Sequence, residues 1–191
     1  METLDSLEIS LFEDNAWHAW LEQNHTQNKG LWLKISKKGS VYPSISYADA
    51  LNEALCYGWI DGQKQAYDDG YYLQKFTPRR SKSVWSKINV SHIERLVSAG
   101  RMQPSGLAAV EPAKADGCWD AAYDGARSIK MSPEFEAALA ASPKAKAFYN
   151  SLDRSNTYAY LWRLQTTTNP TNRALKMKQF IGMLERGERL H

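Results

Sequence analysis

The chain is predicted to be an α+β protein: a small antiparallel sheet, built from one strand plus a hairpin, packs with helices and leads into an all-helical C-terminal region. Three observations carry this prediction. Leu31, Leu33 and Ile35 alternate with Trp32 and Lys34, which is the period of a strand. Asp69-Gly70 separates two strand-like runs, residues 63–67 and YYLQKF at 71–76, and such a dipeptide favours a tight hairpin. Beyond the first ~80 residues no convincing strand pattern appears. Instead Ser132-Pro133, Ser142-Pro143 and Asn169-Pro170 each set a capping residue before a proline, the signature of a helix start.

The elements follow in order. Residues 7–24 place Leu11, Phe12, Trp17, Trp20 and Leu21 at mostly helical spacing, so a first amphipathic helix is expected, ended by Lys29-Gly30. The strand at 31–35 comes next. Ser46 with Asp49 three residues on forms a capping-box pattern. It opens a helix with Tyr47, Leu51, Ala54, Leu55 and Gly58 on one face, and Asp61-Gly62 reads as its breaker. After the hairpin, Asn89 is expected to cap a short helix carrying Ile93, Leu96 and Val97, closed by Gly100. A further helix from about Pro104 is expected to kink or end at Pro112. The polar-aromatic turn DGCWDAAYDG, residues 116–125, marks the expected boundary between an α+β module at 1–125 and a helical domain at 126–191. With Ser155 as a fourth candidate cap, four short helices are predicted there, ending at Gly187.

Composition bounds the function. At 191 residues, 43% hydrophobic and 24% charged, the chain is of ordinary globular make-up and can bury a real core. Seven Trp and ten Tyr make it rich in aromatics. Cys56 and Cys118 have neither metal-site nor redox spacing, which suits a reducing compartment. The start METLDSLEIS shows no signal-peptide pattern, and no apolar run reaches the ~18 residues of a membrane span. A cytoplasmic protein without membrane insertion is therefore expected. His18, His25, His92 and His191 stand alone, and the HExxH, Walker A, GxGxxG and nucleophile-elbow patterns are absent. No metal, cofactor or assigned catalytic residue is expected.

Charge is laid out unevenly. Residues 75–101 hold Lys75, Arg79, Arg80, Lys82, Lys87, Arg95 and Arg101 against the single acid Glu94, in a chain whose whole net charge is +3. The centre of this run is FTPRRSKSVWSKIN, residues 76–89. One reading is a solvated loop with Asp61, Asp68 or Asp69 as partners and Trp85 in the core. The other is a pocket for an anion. There Arg79, Arg80, Lys82 and Lys87 hold charge, Ser86 donates a hydroxyl, and the helix opening at Asn89 offers backbone N–H groups. Trp59 and Trp85 supply flat faces, Asp61 orients the ligand, and Lys64 stands near. Spacing leaves both readings open.

The stretches ALCYGWIDGQ, YYLQKFTPRRSKSVWSKIN and SAGRMQPSGLAAVEPAKADGCW, with KMKQFIGMLERGE near the C-terminus, resemble the YdeI/OmpD-associated (OmdA) family, labelled bacteriocin-protection proteins. The resemblance runs from about Trp17 to Glu188. Its motif positions are Trp59, Asp61, Gly62, Phe76, Pro78, Arg79, Arg80, Trp85, Ser86, Lys87 and Asn89. Pro112 departs from it, standing where a helix-former such as Ala is expected. The resemblance implies a small α+β module followed by helices. It also implies a link to envelope stress and cationic-peptide resistance, with no established reaction. Without an export signal, such a protein would act on the envelope indirectly.

Three functions follow as expectations. The first is a non-enzymatic module binding an anionic small molecule, such as a phosphorylated metabolite, or single-stranded nucleic acid. The second is an enzyme for a small anionic substrate, using Asp61 as general acid or base beside Arg79 and Arg80. The third is a protein-interaction module whose acid-rich first helix, with Glu8, Glu13 and Glu22, meets a cationic peptide.

Overall fold

The computed structural model describes residues 7–13, 15–26, 29–81 and 83–190. In chain order these form β1 (Ile9–Ser10), α1 (Ala16–Asn24), β2 (Leu31–Ser36), α2 (Tyr47–Cys56), β3 (Trp59–Ala66) and β4 (Tyr71–Pro78). There follow α3 (Lys87–Ser98), α4 (Pro104–Ala115), α5 (Pro133–Ala140), α6 (Pro143–Asn150), α7 (Arg154–Gln165) and α8 (Pro170–Glu185). Two compact units result. The first holds Met1–Ser83 with Asn89–Asp120, and the second Val84–Ile88 with Ala121–His191. A mixed α+β fold with a helical C-terminal region is what the strand alternation and the capped prolines predict.

In the first unit the sheet order is β1-β2-β4-β3. β2 and β3 both run antiparallel to β4, with Leu31 opposite Phe76 and Ile35 opposite Tyr72. Trp17 of α1 joins sheet and helices. Its ring lies 5.7 Å from that of Phe76 and 6.2 Å from that of Trp59, and its Nε1–H donates to the Ala50 carbonyl of α2 at 3.1 Å. Leu21, Leu31, Leu33, Leu55 and Phe76 fill the core around it. Such aromatics remove large apolar areas from water and give this small sheet its hold on the helices.

Several local expectations are corrected. Ile9–Ser10 is not helical; it pairs in parallel with Trp32 and Leu33, supported by a Trp32 N–H to Glu8 carbonyl bond of 2.8 Å. The first helix therefore starts at Ala16, and of Glu8, Glu13 and Glu22 only Glu22 lies on it. Asp61-Gly62 does not break α2. That is done by Gly58, whose φ of +78° lies in the left-handed region. Asp61 and Gly62 sit inside β3, at an irregularity in register between Asp61 and Lys64. The buried Gln74 amide mends this bulge by donating to the Gly62 and Gln63 carbonyls at 2.9 and 3.2 Å. The hairpin turn itself is held by Asp68, whose Oδ1 accepts from the Gly70 and Tyr71 amides.

Downstream, α3 begins at Lys87, so Asn89 lies in its first turn rather than capping it. α4 runs through Pro112 to Ala115, tolerating one missing backbone donor instead of ending there. Ser46 caps α2 as its sequence pattern requires, accepting from the Asp49 amide at 3.1 Å.

The second unit contains α5 to α8. Ser132, Ser142 and Asn169 each accept a bond from the amide three residues on, at 3.3, 3.3 and 3.0 Å. α7 is capped by Asp153 at 2.8 Å and not by Ser155, which lies within the helix. A carboxylate is the stronger acceptor for an exposed helix amide, and its charge suits the positive N-terminus. Phe135, Leu139, Tyr149, Tyr160, Phe180 and Leu184 form the core, with Tyr160 and Phe180 edge to face at 4.9 Å. The segment Val84–Ile88 joins this unit through Tyr123. The Tyr123 N–H donates to the Trp85 carbonyl at 2.8 Å, and the Lys87 N–H to the Tyr123 carbonyl at 2.9 Å.

Candidate functional site

The basic motif is divided between the two units. Arg79 and Arg80 belong to the first unit. The Arg79 N–H donates to the Gly58 carbonyl at 2.9 Å, tying the exit of β4 to the end of α2, and Arg80 is exposed. Lys82 lies outside the described residues. Trp85, Ser86 and Lys87 belong to the second unit. Trp85 and Ser86 are buried, and the Lys87 ammonium pairs with Asp124 at 2.9 Å. Hydrogen bonds from Lys87 and Gln165 hold the Asp124 carboxyl below the usual carboxylate range.

The stacking role expected of Trp59 is corrected. The residue is 1% exposed, its Nε1–H donates to the His25 carbonyl at 3.1 Å, and Trp17 and Trp20 meet it edge to face. Its ring is core, with no open face for a ligand. Lys64 is exposed on β3 and sets its ammonium 3.8 Å above the Tyr72 ring, a cation–π contact.

What the structure does assemble is a polar belt along α2. Asp61 comes off β3 and accepts the Tyr47 hydroxyl on Oδ2 at 2.7 Å. Burial, then the bond to Asp61 and its charge, push the Tyr47 phenol far above its ordinary pKa, so it stays a donor. Across from α2, the Arg95 guanidinium donates to Asn52 Oδ1 at 2.6 Å and lies 3.2 Å from His92 Nδ1. Burial and the Arg95 charge lower the His92 pKa, while Asp61 opposes them. His92 is therefore neutral at neutral pH, and the Nδ1 facing Arg95 is its acceptor.

The belt continues at Glu53. One carboxylate oxygen meets Arg101, and the other lies 2.8 Å from His18 Nδ1. The Tyr57 hydroxyl lies 3.3 Å from His18 Nε2. Beside it, burial pushes the Cys56 thiol up to about 11, which makes it a poor nucleophile.

Chemically the Asp61–His92–Arg95 part of the belt combines a guanidinium, a neutral imidazole, a side-chain amide and a carboxylate steadied by a phenol. Arg95 can donate to an anion, the Asp61 carboxylate can accept from a hydroxyl, and the Asp61 charge is felt at His92. Of these five residues, Tyr47 and Asn52 carry no functional signal in sequence. Tyr47 lies 14 positions from Asp61, and Asn52 lies 43 from Arg95. The signal that could have found His92 is its i, i+3 spacing from Arg95 on a helix, which places both on one face.

Two comparisons bear on the chain. Residues 9–109 match the family described as Domain of unknown function (DUF8412). Residues 128–187 match the family described as Bacteriocin-protection, YdeI or OmpD-Associated. The second match falls on α5 to α8, whereas the motif from Trp59 to Asn89 falls in the first. No curated protein and no solved structure matches the chain. No helix among the described residues is long and apolar enough to cross a membrane.

Proposed function

We propose, from the premise that the chain belongs to the DUF8412 family and carries a YdeI/OmpD-associated region over residues 128–187, that it is a non-enzymatic module binding a small anionic, hydroxyl-bearing ligand on the α2–α3 face of its first unit. A phosphorylated metabolite is the ligand class. The observation that carries this reading is the state of Arg95. Among the described residues its side-chain hydrogen bonds go to the neutral groups of Asn52 and His92 and it forms no ion pair, so its positive charge is open to an anion.

A phosphate would complete that charge with two-point hydrogen bonding, and the Asp61 carboxylate would accept a ligand hydroxyl while Tyr47 holds it. Arg80 and Lys64 add to the positive field that draws an anion in. The buried rings of Trp59 and Trp85 speak for a compact ligand over single-stranded nucleic acid, which needs open stacking faces. In this reading the protein works in the cytoplasm. Any bearing on bacteriocin protection, the role printed for the family matched at 128–187, is then indirect.

A thermal-shift panel tests it, with sulfate, nucleotides, sugar phosphates, a short oligonucleotide and a cationic peptide. A ligand at 100 times its dissociation constant adds about 2.7 kcal/mol of stability. We expect a sugar phosphate or nucleotide to raise Tm in the wild type and in the Arg79→Ala/Arg80→Ala variant, and to lose that effect in Arg95→Ala. If the oligonucleotide alone stabilises, with a log–log salt slope of about −3.5 for ~5 contacted phosphates, the compact-ligand reading fails. A panel without any shift removes the anion site on this face altogether.

A second reading has one observation in its favour. A neutral His92 that feels the Asp61 charge offers the acid–base groups an enzyme for a small anionic substrate would use. Turnover of a phosphorylated substrate that disappears in Asp61→Asn, with Tm unchanged, would replace the binding module by that enzyme.

A further inference from the structure

We propose that the second unit carries its own anion-binding site, which no family match assigns. It is the polar cavity of about 190 Å³ lined by Lys130, Ser132, Leu161, Leu164, Gln165 and Arg173, and it takes a small dianion of the phosphate or phosphomonoester class. The proposal is independent of the α2–α3 reading, because every lining residue belongs to the second unit.

Size comes first. Liquid water occupies about 30 Å³ per molecule, so the cavity has room for roughly six waters. That is well short of the ~300 Å³ at which pockets begin to hold drug-sized ligands, but ample for a tetrahedral anion with part of its hydration. Leu161 and Leu164 are buried and give it an apolar floor. Gln165 is a fixed wall: its Nε2 donates to Asp124 Oδ2 at 2.7 Å, and its Oε1 accepts the Asp124 N–H at 3.1 Å.

Charge comes from two separate elements. Lys130 is exposed on the segment before α5, and Arg173 lies in the first turns of α8. Arg173 meets Glu134 at 3.4 Å, with side chains 38% and 62% exposed. An ion pair of that length and exposure is weak, so the guanidinium is available to a better partner. The Lys130 charge also reaches Asp124, which is already bonded to Lys87 and Gln165.

The rim also shows that these donors accept an anion. The Glu134 carboxyl is held below its usual range by its own backbone N–H, by the Ser132 hydroxyl and by the Arg173 charge. Ser132 meanwhile accepts from the Phe135 amide as the cap of α5. A side-chain carboxylate thus stands on the same donors that an incoming phosphate would use. It is an internal competitor, and it gives the site a testable sign: removing its charge should strengthen binding from outside.

The test is a titration of ¹⁵N-labelled full-length protein with inorganic phosphate, at ionic strength held constant with sodium chloride. It follows the amide resonances of Glu134, Phe135 and Arg173. Saturable shifts are expected there, unchanged by Arg95→Ala. Lys130→Ala, at an exposed position, and Arg173→Ala should each weaken binding at least about tenfold. Glu134→Gln should tighten it by about two- to fivefold. Shifts that never saturate, or that chloride alone reproduces, overturn the site. So does a Glu134→Gln variant that binds no better than wild type.

Discussion

Burial, and with it the hydroxyl bond that Tyr47 gives to Asp61, changes how the chain meets alkali. Burial and Asp61 raise the Tyr47 phenol, burial raises Tyr149 to about 12, and burial raises Cys56 to about 11. Each group keeps its proton in the folded state at a pH where the unfolded chain has lost it. Their contribution is complete below the usual values, near 8.5 for Cys and 10 for Tyr, and is lost as pH rises through the folded ones. Urea midpoints should therefore hold steady up to about pH 8.5 and fall from there, with Tyr47→Phe flattening the decline above pH 10. Phenolate absorbance that appears at ordinary tyrosine pH for every tyrosine of the folded protein would contradict this. None of it was legible in sequence, where Tyr47 was one residue of an apolar helix face. Trp59 misled in the opposite sense, because a ring with a polar edge suits a core or a ligand wall equally until its partner, the His25 carbonyl, is seen.

Among the elements, those governed by local chemistry were the readable ones. A serine or asparagine before proline states a helix start within four residues, and Ser132, Ser142 and Asn169 all cap as that rule requires. α7 lies outside that rule, because no proline follows Ser155; its cap is Asp153, two residues earlier. Asp153→Ala should cost about 1 kcal/mol of stability, whereas Ser155→Ala should stay within about 0.5 kcal/mol, both read from chemical denaturation. Equal losses would mean that the Asp153 cap does not fix the start of α7. β1 escaped notice for a different reason. Two residues carry no period, and their parallel pairing with Trp32 and Leu33 is a long-range fact. The Asp61-Gly62 bulge shares this character, since the dipeptide signals a turn locally while Gln74, 12 residues from Gly62, makes it part of a strand.

For the molecule as a whole, the chain passes between its units at Ser83, at Ile88 and at Asp120. The cations of the basic run follow that passage. Lys87 pairs with Asp124 in the second unit, while Arg95 and Arg101 are held by Asn52 and Glu53 in the first. A count along the sequence registers the charge but not these distant partners, so the candidate site was legible as a region and not as an arrangement. A fragment of residues 121–191 keeps α5 to α8 but lacks Val84–Ile88. It should fold into helices with a lower melting temperature than a version in which those five residues are restored by a linker. Its Tyr123 amide, which donates to Trp85 in the whole chain, should exchange with solvent rapidly. Equal melting and equal protection would show the borrowed segment to be dispensable.

That borrowed segment also sets an order of events on the ribosome. Ser86 is synthesised 37 residues before its bridge partner Tyr123, and at ~5–20 residues per second the wait is about 2–7 s. The sheet with α1 and α2 can close during that interval, while the Trp85 backbone emerges well ahead of the strand partner it requires. Translation speed across residues 89–123 thus governs how long a tryptophan-bearing stretch stays without its backbone partner in the nascent chain. Slow codons there would expose it longest to chaperones.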